Sequence, residues 1–519
     1  MTAPTPAGKG NGPPGWAHPA LLAPVACYAY FLLIHRSPGY AIGGALVIAA
    51  LAALFARRTD QARLPPRILL LLTALALPIL GAWQFLHLKD IGDLDHGSYT
   101  CGLWNLGQGN PHYAFLGRNM FGIHSQYTSA LWVPVQYLGG ALGLKIGNGL
   151  CLLAAAVLLL RRLRGQNGNA AWAALALLLA PPIASQFFFG FHPELLAAPL
   201  LVFAFEAYRE KRLAAFLTLT CLLAYTKETM TLPVGGLLLV ALIERRNWKW
   251  ILLPGLACCA LMAVYWFQIV PRFTVKTNDL DFFLPASPAG ILAAWARPQT
   301  LRYLAHIYVP FLPLMLAMPR RYLLLPLPTM AFYAAYPDSL FVQMWPNYAF
   351  PLVLLCLAGL WLEPGLAFSG TMETNAPKPA GRVLDGRLLP ACAAAALLCY
   401  PLWREIISVP TEGPARHREA ARMLDRIGSG PSMLVYGHLT SRFSARREIG
   451  ILGIQKLRAA DYEFALIDPG FKAPWAVDSA AVAETMRDLA DTAAWTRENP
   501  GEILALFRRK TRPEAVLPP

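Results

Sequence analysis

The sequence predicts an all-α polytopic membrane protein with a small α/β domain at its C-terminal end. Of the 519 residues, 56% are hydrophobic and only 14% are charged, and the mean hydropathy is +0.42. Apolar runs recur along the chain, and many approach the ~20 residues that a membrane-spanning helix needs. This composition excludes an ordinary soluble enzyme.

The positive charge is concentrated in short loops between the apolar runs. The whole chain carries a net charge of +15, whereas from Arg404 onward 17 Lys or Arg face 15 Asp or Glu, a difference of only +2. Basic short loops on one side are the positive-inside pattern, which orients membrane helices. The pattern gives no indication of nucleic-acid binding and predicts a protein of the cytoplasmic (inner) membrane with its N-terminus inside.

Three regions are predicted. Residues 1–19 are rich in Pro and Gly and are expected to be disordered, residues 20–403 form the transmembrane part, and residues 404–519 form an extracytoplasmic α/β domain. About thirteen spans are predicted, and 128–138 is interpreted as an interfacial or re-entrant segment. The spans lie near residues 20–35, 39–56, 68–86, 143–160, 169–185, 195–207, 213–225, 229–243, 250–270, 301–318, 322–336, 346–362 and 387–403.

The tail shows the alternation of strands and helices that is typical of a small α/β domain. Ser432–Tyr436 and Glu463–Asp468 are short apolar runs bounded by polar turns, which predict buried strands. Ala480–Ala493 has helical periodicity. The apolar face of this predicted helix consists of Val482, Met486 and Leu489.

The first outer loop, 87–126, contains the acidic stretch Ile91–Trp104. It places Asp93, Asp95 and His96 within four positions. Two carboxylates one residue apart at the edge of a bilayer can hold a divalent cation or act as a base. The alternative is a solvated loop with an Asp residue that caps a helix.

Further polar residues collect on the same predicted side of the membrane. Lys227 and Glu228 interrupt an apolar run, and a charge near a helix centre costs roughly 2.5–3.5 kcal/mol on insertion scales, so these residues face a cavity or each other. A structural pair at a helix end is the alternative for them, and a cap or snorkelling pair is the alternative for His192 and Glu194. The candidate substrate-binding residues are His96, His124, His192, Glu194, Lys227, Glu228, Arg272 and Tyr348.

The order of these motifs resembles a family of bacterial membrane proteins catalogued as domain of unknown function 2079. The matching residues are Asp95, Gly97, Leu103-Trp104-Asn105, His124, Phe191-His192-Pro193-Glu194 and Lys227-Glu228, and the resemblance extends over about 85–470. The sequence departs from the family pattern at Leu94, Thr100, Cys101 and Asn347, where an aromatic residue, Asp, Gln and His are usual.

This family is in turn similar to the GT-C glycosyltransferases, which take a sugar from a polyprenyl-phosphate donor at the outer face of the membrane. The resemblance implies that Asp95 is the general base, that Asp93 assists it, and that the partners are a polyprenyl-phosphate-linked sugar and a lipid or glycan acceptor. It further implies that Lys227 and His192, with Arg272 behind them, face the leaving phosphate. Since some GT-C enzymes use a metal and others none, Mg²⁺ or Mn²⁺ on Asp93, Asp95 and Glu194 stays open.

Two other functions fit the same residues. A transporter of a lipid or small solute also carries intramembrane charges such as those of Lys227 and Glu228. A non-catalytic membrane protein that binds lipid-linked glycans would leave the acidic loop inert.

Overall fold

The computed structural model describes residues 66–510 with several gaps. The predicted disordered segment 1–19 and the predicted spans 20–35 and 39–56 lie outside the described residues. The gaps are at 87–92, 114–117, 165, 167, 274–287, 298–299, 301–306, 309, 336–344, 369–381, 399–412, 437–438, 447, 453–458, 469–478 and 500–502.

The part of the chain before residue 400 is a bundle of helices. Its helices are α1 Pro66–Leu86, α2 Asp93–Gly107, α3 Met120–Ile123, α4 Val133–Arg162, α5 Gly168–Leu179, α6 Pro181–Gln186, α7 Ala197–Arg209, α8 Leu213–Thr226, α9 Thr231–Ile243, α10 Lys249–Val264, α11 Val270–Phe273, α12 Pro288–Trp295, α13 Leu312–Ala317, α14 Leu327–Ala335, α15 Trp345–Leu357, α16 Gly359–Leu362 and α17 Leu388–Leu398. Short 3₁₀ turns occupy Tyr127–Trp132, Pro193–Leu196, Glu228–Met230 and Arg320–Leu324, and a π turn continues α10 through Tyr265–Ile269.

Burial separates central helices from peripheral ones. Helix α5 is buried on nearly all sides from Asn169 to Leu178, as expected for a helix that is apolar all round. Helix α1 exposes large apolar side chains, among them Leu71 (58%) and Ile79 (62%), because its outer face is placed to contact lipid. Three stretches of the described chain are long and apolar enough to cross a membrane: Pro66–Trp83, Tyr127–Arg162 and Lys249–Phe273.

The predicted division of the stretch after residue 127 is confirmed. A 3₁₀ turn precedes α4, and α4 itself is broken at Gly140, whose φ of +56° is available to glycine but strained for other residues. The predicted interfacial placement of 128–138 and the count of about thirteen spans stay predictions.

Within the predicted first outer loop, the acidic stretch is helical. It forms α2, which begins at Asp93, and it is followed by a two-residue antiparallel pair, β1 His112–Tyr113 and β2 Arg118–Asn119. Two further short strands, β3 Ala367–Phe368 and β4 Val383–Leu384, pair in parallel. The placement of 87–126 outside the membrane stays a prediction.

The tail contains the predicted α/β fold. Its elements are α18 Gly413–Ile427, β5 Met433–Val435, α19 Thr440–Phe443, β6 Ile449–Ile451, β7 Phe464–Ile467, α20 Ser479–Leu489, β8 Trp495–Arg497 and β9 Ala505–Arg509. The five strands form one sheet in the order β6-β5-β7-β9-β8, in which β5 is parallel to β6 and β7, and β9 is antiparallel to β7 and β8. The predicted strands at β5 and β7 are therefore confirmed.

The buried face of α20 differs from the predicted face by one residue. Leu489 is buried and Val482 packs against the tail core, as predicted, whereas Met486 is exposed and Thr485 is buried. A helix has 3.6 residues per turn, so position 485 as well as position 486 can share the face of Val482 and Leu489, and in the structure Thr485 does so.

The tail packs directly on α2. Its helix α19 lies so close that a Cβ on Gly97 would overlap the side chain of Thr440, which explains glycine at this position. The Cys101 thiol lies 3.8 Å from the carbonyl oxygen of Arg446, and the Arg442 guanidinium donates to the carbonyl of Phe85 at the end of α1 (2.9 Å). The helix that carries Asp95 is thus held between the bundle and the tail.

A candidate acid–base site

A chain of alternating acidic and basic groups extends from α2 into the bundle. Asp95 Oδ2 lies 3.8 Å from His192 Nε2, and His192 Nδ1 lies 3.3 Å from Glu194 Oε1. The same Glu194 oxygen accepts from the Lys227 ammonium at 2.8 Å. The side chains of Glu194 and Lys227 are only 1% and 2% exposed, whereas that of Asp95 is 35% exposed. Asp95 is therefore the accessible end of this chain.

Local sequence places these groups. Pro193 opens a 3₁₀ turn, and its ring keeps the preceding His192 in an extended conformation (φ −134°, ψ 113°). Lys227 is also extended between α8 and the next 3₁₀ turn, so its side chain leaves the axis of α8. Because an ionised carboxylate only accepts hydrogen bonds, we assign a proton to His192 Nδ1, which faces Glu194, while Nε2 faces Asp95.

A second His–Glu pair lies beside the first. His124 Nδ1 is 2.8 Å from Glu228 Oε1, and Ser125 donates its backbone N–H to Glu228 Oε2 at 3.1 Å. The His124 side chain is 20% exposed and that of Glu228 is 10% exposed. Lys227 and Glu228 are neighbours in sequence but bind different partners, so the predicted contact between them is replaced by two separate pairs.

Removal from water raises the pKa of the Asp95 carboxyl above its ordinary value, and the nearby His192, Lys227 and His124 oppose that shift. The influence of His124 on Asp95 indicates that both pairs lie within electrostatic range of the same carboxylate. A carboxylate with a raised pKa is a stronger base than an ordinary Asp, which is the property that a general base requires.

Two polar residues on one face of α4, Lys145 and Asn148, hold the irregular segment that leads to His192. Lys145 Nζ donates to the carbonyl oxygens of Phe188 (3.3 Å) and Phe189 (3.0 Å). The Asn148 amide, oriented with its nitrogen towards the His192 carbonyl, donates to that oxygen (3.1 Å) and accepts from the His192 N–H (2.8 Å). We call these two residues the α4 clamp.

Sequence reasoning missed the α4 clamp. A lone Lys and a lone Asn in an apolar run give a weak signal, and the sequence marks Asn148 only as an interruption of that run. Their spacing of three residues, which puts both on one helix face, is the signal that was available. Gln126 was missed as well; it links Tyr99 (3.1 Å) to Glu194 (3.3 Å) through its amide nitrogen.

The other predicted site residues lie in different surroundings. His96 is fully buried, with Nε2 2.9 Å from the Ala141 carbonyl oxygen and its ring 5.3 Å from that of Phe85. His96 thus packs α2 against the bundle, and its predicted role in substrate binding stays a prediction. Arg272 is exposed on α11, which packs on α3 next to His124. The side chains of Asp93 and Tyr348 lie outside the described residues, although both backbones are helical.

The described residues do not test the whole predicted metal site, because the side chain of Asp93, one of its three predicted ligands, lies outside them. No three His, Cys, Asp or Glu side chains within the described part of the chain are arranged to hold a metal ion. Glu194, one of the three predicted ligands, is already neutralised by Lys227 at 2.8 Å. No step of the chemistry below is therefore assigned to Mg²⁺ or Mn²⁺.

The fold and the cluster of charged side chains define a class of helical membrane protein. In this class α2, the helix that follows the first described span, meets buried charges of the bundle. The family model described as "Predicted membrane protein (DUF2079)" matches residues 87–499, and the chain belongs to this family. No curated protein matches the chain. Similar solved structures are those of ArnT from Cupriavidus metallidurans bound to undecaprenyl phosphate and in the apo state. Each has 14% identity and a TM-score of 0.49, over 84% of this chain and 97% of that one.

Proposed function

We propose that this protein is a membrane glycosyltransferase of the GT-C type, which transfers a sugar from a polyprenyl-phosphate donor to an acceptor at the outer face of the cytoplasmic membrane. The observation that carries the proposal is the exposure of Asp95 at the end of a buried chain of charges. The other two described carboxylates of the site, Glu194 and Glu228, are each bound to a partner at 2.8 Å. Asp95 alone among the three is placed to take a proton from a substrate.

In the proposed reaction Asp95 accepts the proton of the acceptor hydroxyl. The hydroxyl oxygen forms a bond to the anomeric carbon, and the bond from that carbon to the phosphate oxygen breaks with its electron pair on the polyprenyl phosphate. The proton ends on Asp95, whose Oδ2 lies 3.8 Å from His192 Nε2. A general base of this kind contributes roughly 10²–10⁴-fold in rate.

Lys227 has a different role in this proposal from the one implied by the family resemblance. Its ammonium lies behind Glu194 and is almost fully buried, so it is not placed at the exposed end with the leaving phosphate. It keeps Glu194 ionised, and the ionised carboxylate fixes the proton on His192 Nδ1. Lys227 is thus a positioning residue that acts through Glu194 and His192.

The leaving phosphate needs positive charge near the exposed part of the site. His124 is partly exposed, and Arg272 lies on α11, whose Phe273 packs against Gly122, two residues before His124. We propose that His124, whose ring is held by Glu228 at 2.8 Å, and Arg272 face the phosphate. Arg272 suits this task because guanidinium groups match phosphate oxygens with two parallel hydrogen bonds.

The test uses membrane vesicles from cells that produce the full-length chain, supplied with a panel of radiolabelled polyprenyl-phosphate sugars. Label transferred to the envelope fraction is measured for the natural chain, for Asp95→Asn and for Asp488→Asn, a control at an exposed acid of the tail. We expect Asp95→Asn to lose at least ~100-fold in transfer and Asp488→Asn to lose none. Full transfer by Asp95→Asn would refute the assignment of the base.

The pH profile gives a second readout of the same assignment. Because the pKa of Asp95 is raised, the base form is lost as pH falls through a value above the ordinary ~3.9 of Asp, so the acid limb of kcat/KM lies above that value. An acid limb at or below that value contradicts the proposed base.

Solute uptake by reconstituted vesicles in the absence of a lipid-linked sugar would favour the transporter instead. Polyprenyl-phosphate binding without turnover, unchanged in an Asp93→Asn, Asp95→Asn double variant, would favour a binding protein.

A further inference from the structure

The tail has a positively charged cleft at one edge of its sheet. Its volume is about 450 Å³, which is within the usual range for sites that bind small molecules. Four cations contribute to its lining, together with two carboxylates. These charged residues are Arg426, Arg508, Arg509, Lys510, Glu463 and Glu498.

Two arginines of the cleft converge on one carboxylate. Arg426 lies 3.0 Å from Glu498 Oε2, and Arg508 lies 3.6 Å from Glu498 Oε1. The arginine side chains are 59% and 64% exposed, whereas Glu498 is only 14% exposed. One carboxylate compensates at most one of the two guanidinium charges, so this pair of arginines keeps a positive charge that is open to solvent.

An apolar wall accompanies the charges. Phe464, Ile427 and Pro431 also line the cleft, and the Arg508 guanidinium lies over the Phe464 ring at 5.7 Å from its centre. A lining of cations and apolar side chains is suited to a ligand that has both an anionic group and a weakly polar face. A monosaccharide with an acidic substituent has both.

The cleft lies at one end of the parallel strands of the sheet. It borders the amino ends of the parallel strands β5 and β7, at Pro431 and Glu463. The carboxyl end of β5 leads instead to α19, which packs on α2. Arg446 connects the cleft to α2, since its carbonyl accepts from the Cys101 thiol and its guanidinium donates to the carbonyl of Pro431 (3.0 Å). Arg426 and Arg508 are 59% and 64% exposed, and this access to solvent favours a water-soluble ligand.

We propose that this cleft binds a soluble sugar that carries an oxyanion, either a carboxylate or a phosphate, between Arg426 and Arg508. Guanidinium groups bind both oxyanions with paired hydrogen bonds. Glu498 occupies that position from within the chain, so the ligand's oxyanion competes with it. The proposal is independent of the glycosyltransferase reaction, since it concerns binding to the tail alone.

The test measures binding by calorimetry to the full-length chain in neutral phosphatidylcholine nanodiscs. The probes are galacturonate, galactose 6-phosphate and uncharged galactose. We expect at least one anionic probe to bind, galactose not to bind, and the better anion to identify the oxyanion. Equal binding of galactose, or no binding of either anion, overturns the proposal.

Variants locate the site. Arg426→Gln and Arg508→Gln are expected to weaken binding of the anionic probe at least tenfold, and Glu498→Gln is expected to tighten it by removing the competing carboxylate. Arg422→Gln is the matched control, because Arg422 is exposed one helical turn before Arg426 on the same helix and does not line the cleft. An equal loss in Arg422→Gln would show non-specific attraction to the tail and would refute the site. The unfolding temperature of each variant is measured alongside, and the comparison is made among variants that keep it.

Discussion

Glu194 and Lys227 show how the bundle accommodates charge. Each is almost completely buried, and their contact at 2.8 Å joins residues 33 positions apart in the chain. Burial removes hydration from both ions, and their mutual attraction offsets that cost only while both are present. Glu194 gains further support from Gln126 and His192. The pair is therefore held by a small network in which each member depends on the others.

This network makes a prediction for stability. Lys227→Met leaves Glu194 as an unpaired buried carboxylate and is expected to destabilise the protein by about 3–5 kcal/mol, the usual effect of breaking a buried pair. The double variant Glu194→Gln, Lys227→Met removes both charges and is expected to recover most of that loss. The measurement is the unfolding temperature of the purified chain in detergent.

A double variant as unstable as Lys227→Met would contradict the pairing. Measuring sugar transfer in the same variants separates the effect on stability from the effect on function. The double variant is expected to remain impaired, because an uncharged amide in place of the Glu194 carboxylate no longer fixes the proton on His192.

For single residues of the site, the sequence predicted the chemical type of the side chain but not the partner that it contacts. Sequence indicated Asp95, His192, Glu194 and Lys227, because charged groups in apolar surroundings are conspicuous. It did not indicate which cation pairs with which carboxylate. Glu194 and Lys227 lie on separate segments, and their contact depends on how α7 and α8 pack.

At the scale of elements, the irregular segment between α6 and α7 depends on α4. Outside a helix, its backbone N–H and C=O groups need partners, because such groups are costly to leave unpaired in the interior of a membrane protein. The α4 clamp supplies them: Lys145 binds the carbonyls of Phe188 and Phe189, and Asn148 binds both backbone groups of His192. Helix α4 thereby sets the position of His192.

The clamp leads to a prediction for catalysis. Asn148→Leu removes both hydrogen bonds to His192 and leaves two buried backbone groups unpaired. Each unpaired group is expected to lower the free energy of unfolding by about 1–3 kcal/mol. We expect sugar transfer to lose at least tenfold in kcat with a smaller change in KM, and the acid limb of the pH profile to shift because His192 no longer faces Asp95. Steady-state rates at several pH values measure this.

Thr220→Val is the matched control for the clamp. Thr220 is a buried polar residue of α8 whose hydroxyl has no hydrogen-bond partner among the described residues, so its loss is expected to leave the rate unchanged. A loss of rate in Thr220→Val as large as in Asn148→Leu, or an unshifted pH profile in Asn148→Leu, would show that the clamp is merely structural.

Elements were predicted well where periodicity is strong. Strands β5 and β7 and the break before the long part of α4 agree with the sequence, because short apolar runs and paired glycines are local signals. The sequence does not reveal that the acidic stretch of the first outer loop is helical, since burial between α4 and α19 removes the amphipathic pattern by which a helix is recognised. The face of α20 was misjudged by one residue, because helical periodicity does not distinguish Thr485 from Met486 and only the packing of the tail buries Thr485.

On the scale of the whole molecule, α2 connects the membrane helices to the tail. Its Gly97 admits Thr440 at close approach, and its Cys101 reaches Arg446, 345 residues away in the chain. Arg446 is fully buried, and its guanidinium donates to the carbonyls of Pro431 and Gly428 at 3.0 Å. The tail thus forms one side of the environment of Asp95, and both must lie on the same side of the membrane.

This arrangement predicts the topology of the tail. A cysteine in place of the exposed Arg487 is expected to react with a membrane-impermeant maleimide in intact spheroplasts. A cysteine in place of Arg164, in a basic loop predicted to be cytoplasmic, is expected to react only after lysis. Both variants are made in a background with Cys259→Ser, because Cys259 is exposed. Labelling of the Arg487 position only after lysis would place the tail, and Asp95 with it, inside the cell.

The sequence by itself determined the class of membrane protein, the α/β character of the tail and the chemical types of the site residues. These depend on composition, short-range periodicity and unusual local charge, which are readable without knowledge of distant contacts. Only the tertiary structure decided that Lys227 neutralises Glu194, that Asn148 holds His192, and that the tail supports α2. The physical reason is that each of these depends on a hydrogen bond or ion pair between segments far apart in the chain, whose approach is fixed by packing of the bundle.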